Sequence, residues 1–197
     1  MKINRLAVRL CMCALVFFRA LSLYADGKDS LSRKMIHMAG IDIKPAYIFP
    51  THEFFAGNNA TFAPIRKNLS VHLKYGFKFA PDTYFGQMYP HAVQGIGVGY
   101  NTFFHSSELG NPWSVYAFQT SRIASLTPRL SLDYEWNFGA SFGWKKYDAE
   151  SNPYNRVVGS KMNAYIHLSF LLNWQLDAQT NLRAGIGATH FSNGNTA

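Results

Sequence analysis

The chain has 197 residues, room for one domain. It is 48% hydrophobic and 16% aromatic but only 15% charged, a balance that excludes a disordered chain. Its two cysteines, Cys11 and Cys13, both precede residue 25, which argues against a disulfide framework or a cysteine zinc site downstream, and no apolar run after residue 18 is long enough for a membrane-spanning helix.

The chain opens with Lys2, Arg5 and Arg9, followed by the short apolar run 10–18 and the sequence Leu23-Tyr24-Ala25. A positive start, an apolar stretch too short to span a bilayer and a small residue at the cut predict a secretory signal peptide over residues 1–25. The alternative is a buried N-terminal helix. Removing this segment takes Lys2, Arg5, Arg9 and Arg19 with it, and the formal charge falls from +8 to +4. The basic character then belongs largely to the address, and a nucleic-acid partner is not expected. Residues 26–40 are polar and are expected to be a lead-in.

From residue 41 onward the hydrophobic period is two. In 129–144, Leu130, Leu132, Tyr134, Trp136, Phe138, Ala140, Phe142 and Trp144 share one face, and Ser131, Asp133, Glu135, Asn137 and Ser141 the other. Segments 69–79 and 161–176 repeat the scheme, and 41–49, 92–104, 113–123 and 181–192 follow it more weakly. Strands in soluble domains average about 5–6 residues, whereas transmembrane β-strands need about 9–11, with an apolar outer band and aromatic girdles. The predicted fold is therefore all-β: an antiparallel up-and-down transmembrane β-barrel over 41–197, with seven strands present and eight expected, because barrels of this kind have even strand counts. A soluble barrel or sandwich with the apolar face inward has the same alternation. The links 50–68, 105–112 and 145–160 are mostly longer than 80–91, 124–128 and 177–180. Outer-membrane barrels have short periplasmic turns, so the first group is expected outside.

The candidate chemistry is at the end, in Thr189-His190-Phe191-Ser192-Asn193-Gly194-Asn195. A His and a Ser two apart on a strand share a face, which suits His190 as general base for a Ser192 nucleophile. Asn193 offers an amide donor, and Gly194 lets the backbone turn so that N–H groups converge on an oxyanion. A strand end entering a Ser-Asn-Gly turn is the plainer reading of the same residues. In 181–192 the pair continues the apolar row Leu182, Ala184, Ile186, Ala188, so it is expected to face lipid at the outer end of the strand.

Tyr-Gly-Phe-Lys-Phe (75–79), Gln-Gly-Ile-Gly-Val-Gly-Tyr (94–100), residues 128–144, Asn-Ala-Tyr-Ile (163–166) and above all Thr-His-Phe-Ser-Asn-Gly-Asn (189–195) resemble the outer-membrane lipid A 3-O-deacylases of the PagL type, and closely their acyloxyacyl hydrolase relatives in Bacteroides-type bacteria. The resemblance covers about residues 40–197 and implies an eight-stranded barrel in the outer membrane that hydrolyses an acyl ester of lipid A (lipopolysaccharide). His190 would be the base, Ser192 the nucleophile, and Asn193 with a nearby backbone N–H the oxyanion hole. It also implies a catalytic Glu about a dozen residues past Ser192, so the chain reads as a C-terminally truncated member. On that reading residues 26–197 alone are expected to be inactive and poorly folded. Hydrolysis of phospholipid at the same site, a non-enzymatic barrel and a soluble periplasmic lipid-binding barrel are the competing functions.

Other features read as structure. Gly95, Gly97 and Gly99 lack the G-x-G-x-x-G spacing of a nucleotide loop and share one strand face, which suits a crowded lumen. No ligand spacing links His37, His52, His72, His91, His105 and His167, and neither a metal nor a cofactor is proposed. Arg66, Lys67, Lys145, Lys146 and Arg156 read as solvated loop charge, with lipid A phosphates the alternative. Asn59-Ala60-Thr61 and Asn68-Leu69-Ser70 match the N-glycosylation pattern by chance.

Overall fold

A computed structural model describes residues 34–192, together with residues 9–13 and 17–21 as backbone alone. The strands are β1 (Arg9–Cys13), β2 (Phe17–Leu21), β3 (Met35–Ile48), β4 (Lys67–Phe79), β5 (Val93–Thr102), β6 (Gly110–Thr127), β7 (Leu130–Trp144), β8 (Met162–Gln175) and β9 (Thr180–Ser192). Two short helices, α1 (Glu53–Ala56) and α2 (Tyr84–Met88), sit in the first and second links of the long strands. From β3 to β9 each strand pairs antiparallel with the next, giving one curled up-and-down sheet. Among the described residues no helix is long and apolar enough to cross a membrane.

The seven expected strands all form, with shifted ends. β6 runs on to Thr127, so its hairpin to β7 is only Pro128-Arg129. β3 begins at Met35, six residues before the expected start. There Ile36 and Met38 lie on the same side as Asp42 and Lys44, so the polar and apolar faces exchange and the alternation is lost to the eye. Among the described residues β3 and β9, the first and last long strands, do not pair with each other. β1 and β2 each pair antiparallel with both β3 and β9: Cys13 is opposite Ala46 and Gly187, and Phe18 is opposite Asp42 and Arg183.

The sheet is polar within and apolar without. Leu73, Phe138 and Ile186 are 59–61% exposed, while Asp42, Lys74 and Glu135 on the opposite face are at most 5% exposed. Inside, Lys74 donates to Glu135 and pairs with Asp42 at 2.8 Å, Lys44 lies 3.6 Å from Asp42, and Arg183 lies 3.6 Å from Glu135. Thr120 Oγ1 donates to Glu135 at 2.9 Å. Pairing and hydrogen bonding of this density are what make buried charge tolerable. Gly97 and Gly99 face inward as expected. A Cβ on Gly97 would lie 2.4 Å from the Tyr116 ring and one on Gly99 2.3 Å from His72 Nδ1.

The links 49–66, 103–109 and 145–161 share one end and fold into a cap. Phe54, Phe55, Ile65, Leu109, Val157 and Val158 pack there on Ile48, Phe103, Trp144, Tyr165 and Phe191. Asn155 donates to the carbonyl oxygens of Glu108 (2.7 Å) and Lys145 (3.0 Å), and Asn152 to those of Glu108 (2.9 Å) and Lys146 (3.0 Å), tying two links together. Asp148 accepts from Ser151 N–H, Ser151 Oγ and Glu150 N–H, and these bonds hold its carboxyl below the usual range. At the opposite, short-link end the lumen opens into a cavity of about 120 Å³ bordered by Lys78, His91, Arg122, Asp133 and Arg183. Partial burial, with Arg122 and Lys78 nearby, pushes His91 towards its neutral form.

Candidate functional site

His190 and Ser192 end β9 on the cap side of the sheet. Ile186, on the same row, is 60% exposed, whereas the intervening Thr189 and Phe191 are 6% and 4% exposed. The pair therefore faces outward, and the alternation that builds the strand is what puts it there. On β8 its register partners are Ile166 and Ala164, and Ala188 is opposite Leu168, so the floor beside the pair is apolar.

The inward residues fix this strand end. Phe191 packs against Trp144 (5.0 Å between ring centroids), Tyr165 (5.6 Å) and Phe103 (6.3 Å), and Thr189 Oγ1 lies 2.8 Å from His167 Nδ1. Trp144 Nε1 in turn donates to Ser141 Oγ at 2.8 Å. A reactive pair carried on a strand locked from beneath is better positioned than one on a loop.

The chain supplies its own measure of what a His and a Ser two residues apart can do. In β4, His72 Nε2 lies 3.0 Å from Ser70 Oγ. That pair was not singled out from the sequence, and it is sealed in the lumen: Ser70 is 5% and His72 1% exposed, and His72 Nδ1 also lies 3.0 Å from Tyr116 OH. The spacing therefore suffices for a Ser–His hydrogen bond, and the two pairs differ in the face they occupy, inward for Ser70 and His72 and outward, half-buried, for His190 and Ser192. At the His190–Ser192 position, such a bond would let imidazole take the hydroxyl proton as oxygen attacks a carbonyl.

The two expected oxyanion residues, Asn193 and Gly194, lie outside the described residues. The acids nearest in sequence to the outer loops and β7 are spread apart. Asp133 and Glu135 face the lumen, where Asp133 accepts from Ser131 Oγ and Asn173 Nδ2 at 2.8 Å each. Asp148 and Glu150 belong to the 145–161 link of the cap, with Asp148 engaged in its turn. Comparison with models of known families, with curated proteins and with solved structures finds no match.

Proposed function

We propose that this chain is an outer-membrane esterase that removes an ester-linked acyl chain from lipid A. The observation that carries the reading is the outward placement of His190 and Ser192, on the apolar face of a sheet whose charged groups are inside. In water, a belt containing Leu73, Ile96, Phe138, Leu168, Phe170 and Ile186 would expose a continuous apolar surface of a kind soluble monomers avoid. In a bilayer it is the expected lipid-facing band. Ser192 shares the end of the three long links, the side that faces out in outer-membrane barrels, so the substrate is a lipid of the outer leaflet. The resemblance of 189–195 to the lipid A deacylases supports lipid A as that lipid.

Ser192 Oγ attacks the acyl carbonyl while His190 accepts its proton. The sugar alkoxide leaves with that proton, and water then hydrolyses the acyl-serine by the same exchange. The Asn193 amide and a backbone N–H freed by Gly194 stabilise the oxyanion.

The test uses the chain with an added C-terminal segment that carries the catalytic Glu implied by the resemblance. Expressed in a host with lipopolysaccharide, it should shift lipid A by the mass of one acyl chain, and Ser192→Ala should abolish the shift. Loss of acyl chains from phospholipid instead would move the same site to a phospholipase. A membrane-inserted barrel that changes no lipid would leave only the non-enzymatic reading.

A further inference from the structure

The link between β4 and β5 is long for its end of the sheet, and α2 is the reason. Thr83 caps it, accepting from Gly86 N–H at 3.0 Å and donating to the Ala80 carbonyl at 2.7 Å. Gly86 is the buried residue of the helix, and a Cβ there would lie 1.9 Å from the Ala80 carbonyl oxygen. The helix is thus seated on the strand end through a glycine, which fixes the direction of its other residues. Tyr84, Phe85, Met88 and Tyr89 fall on one side by their three- and four-residue spacing, and they are 51–70% exposed. The patch does not stand alone. The Phe85 ring lies 5.3 Å from that of Phe79, the last member of the outward row Leu73, Tyr75, Phe77, Phe79 of β4. The helix therefore extends the apolar belt beyond the strands with tyrosine, phenylalanine and methionine.

We infer that α2 is an interfacial anchor: its aromatic face lies among the phospholipid headgroups of the leaflet on the short-link side and sets the depth of the sheet. Tyrosine suits that place because its ring is apolar and its hydroxyl wet. The inference rests on the membrane reading above, and the experiment separates the two. Single cysteines replace Phe85, Met88, Phe138, Ile186 and Glu150 in a full chain carrying Cys11→Ser and Cys13→Ser. Each is labelled with a polarity-sensitive fluorophore in phosphatidylethanolamine–phosphatidylglycerol vesicles. Quenching is read with nitroxide lipids labelled near the headgroup or near the chain end. Labels at 85 and 88 should shift to shorter wavelength and be quenched most by the shallow nitroxide, those at 138 and 186 by the deep one, and that at 150 by neither. Labels at 85 and 88 that match 150 while 138 and 186 stay quenched would overturn the anchor alone, as would deep quenching at 85 and 88. No quenching at 138 and 186 would overturn the membrane reading itself.

Discussion

Glu135, on β7, is reached by Lys74 of β4, Thr120 of β6 and Arg183 of β9, and is 1% exposed. Removing its carboxylate would take from Lys74 and Arg183 the negative charge that faces them inside the sheet. Breaking a buried pair from one side costs about 3–5 kcal/mol, because the remaining charge stays desolvated. Glu135→Ala should therefore lower the unfolding free energy, read from denaturant curves, by that amount. A change within experimental error would mean that the lumen admits enough water to solvate the cations. Gly99 makes a steric counterpart to this electrostatic case. Its missing Cβ leaves room for a His72 ring held by Ser70 and Tyr116. Gly99→Ala should cost about 1–3 kcal/mol through overpacking. Adding His72→Ala should recover part of the loss, and a strictly additive double mutant would show that the ring moves aside freely.

Among the strands, parity carries both fold and site. Phe138 and Asn137 are neighbours in β7, yet one is 59% exposed and the other 1%. The sequence alternation made most such assignments readable: Leu130, Tyr134, Phe138, Leu168, Phe170 and Ile186 lie outward, and Asp133, Glu135 and Arg183 inward, but Trp144, expected on the outward row, turns inward onto Phe191 after Gly143, whose φ of 90° breaks the alternation. What alternation cannot convey is structure built without it. The buried Phe54, Phe55, Val157 and Val158 of the cap come from links with no period, and α2 is too short to register one. Met35–Gly40 was hidden because its apolar residues face inward, and the Ser70–His72 bond because nothing local distinguishes it from other polar inward residues. The orientation of the site was legible for His190 and Ser192, since their row is fixed by Ala184, Ile186 and Ala188. Parity also gives the test of what surrounds the sheet. Phe138→Arg should destabilise the protein in vesicles by about 2–4 kcal/mol, as a cation at bilayer mid-depth does. Measured by urea unfolding, an unchanged or raised midpoint would argue that this face meets water.

For the molecule as a whole, the decisive place is the seam between β3 and β9. Strands joined by successive hairpins alternate in direction, so β3 and β9 run parallel to each other and cannot complete an antiparallel sheet by meeting directly. A strand of opposite direction has to lie between them, and β1 and β2 provide one, following Ala39 to Ile48 on one side and Thr180 to Phe191 on the other. The same residues read as the apolar part of a signal peptide. Deleting residues 1–25 from the 197-residue chain would leave both edges bare. In hydrocarbon each unsatisfied backbone group costs several kcal/mol, and a net stability of about 5–15 kcal/mol cannot absorb a row of them. The deletion variant should show weakened β-type circular dichroism in vesicles and lose the heat-modifiable gel mobility of a folded barrel. An antiparallel strand supplied by an added segment should fill the same seam and restore both signals. Full β-signal and mobility in the deletion variant without any added strand would show that the seam closes by a parallel β3–β9 pair, and that β1 and β2 contribute nothing to the folded sheet.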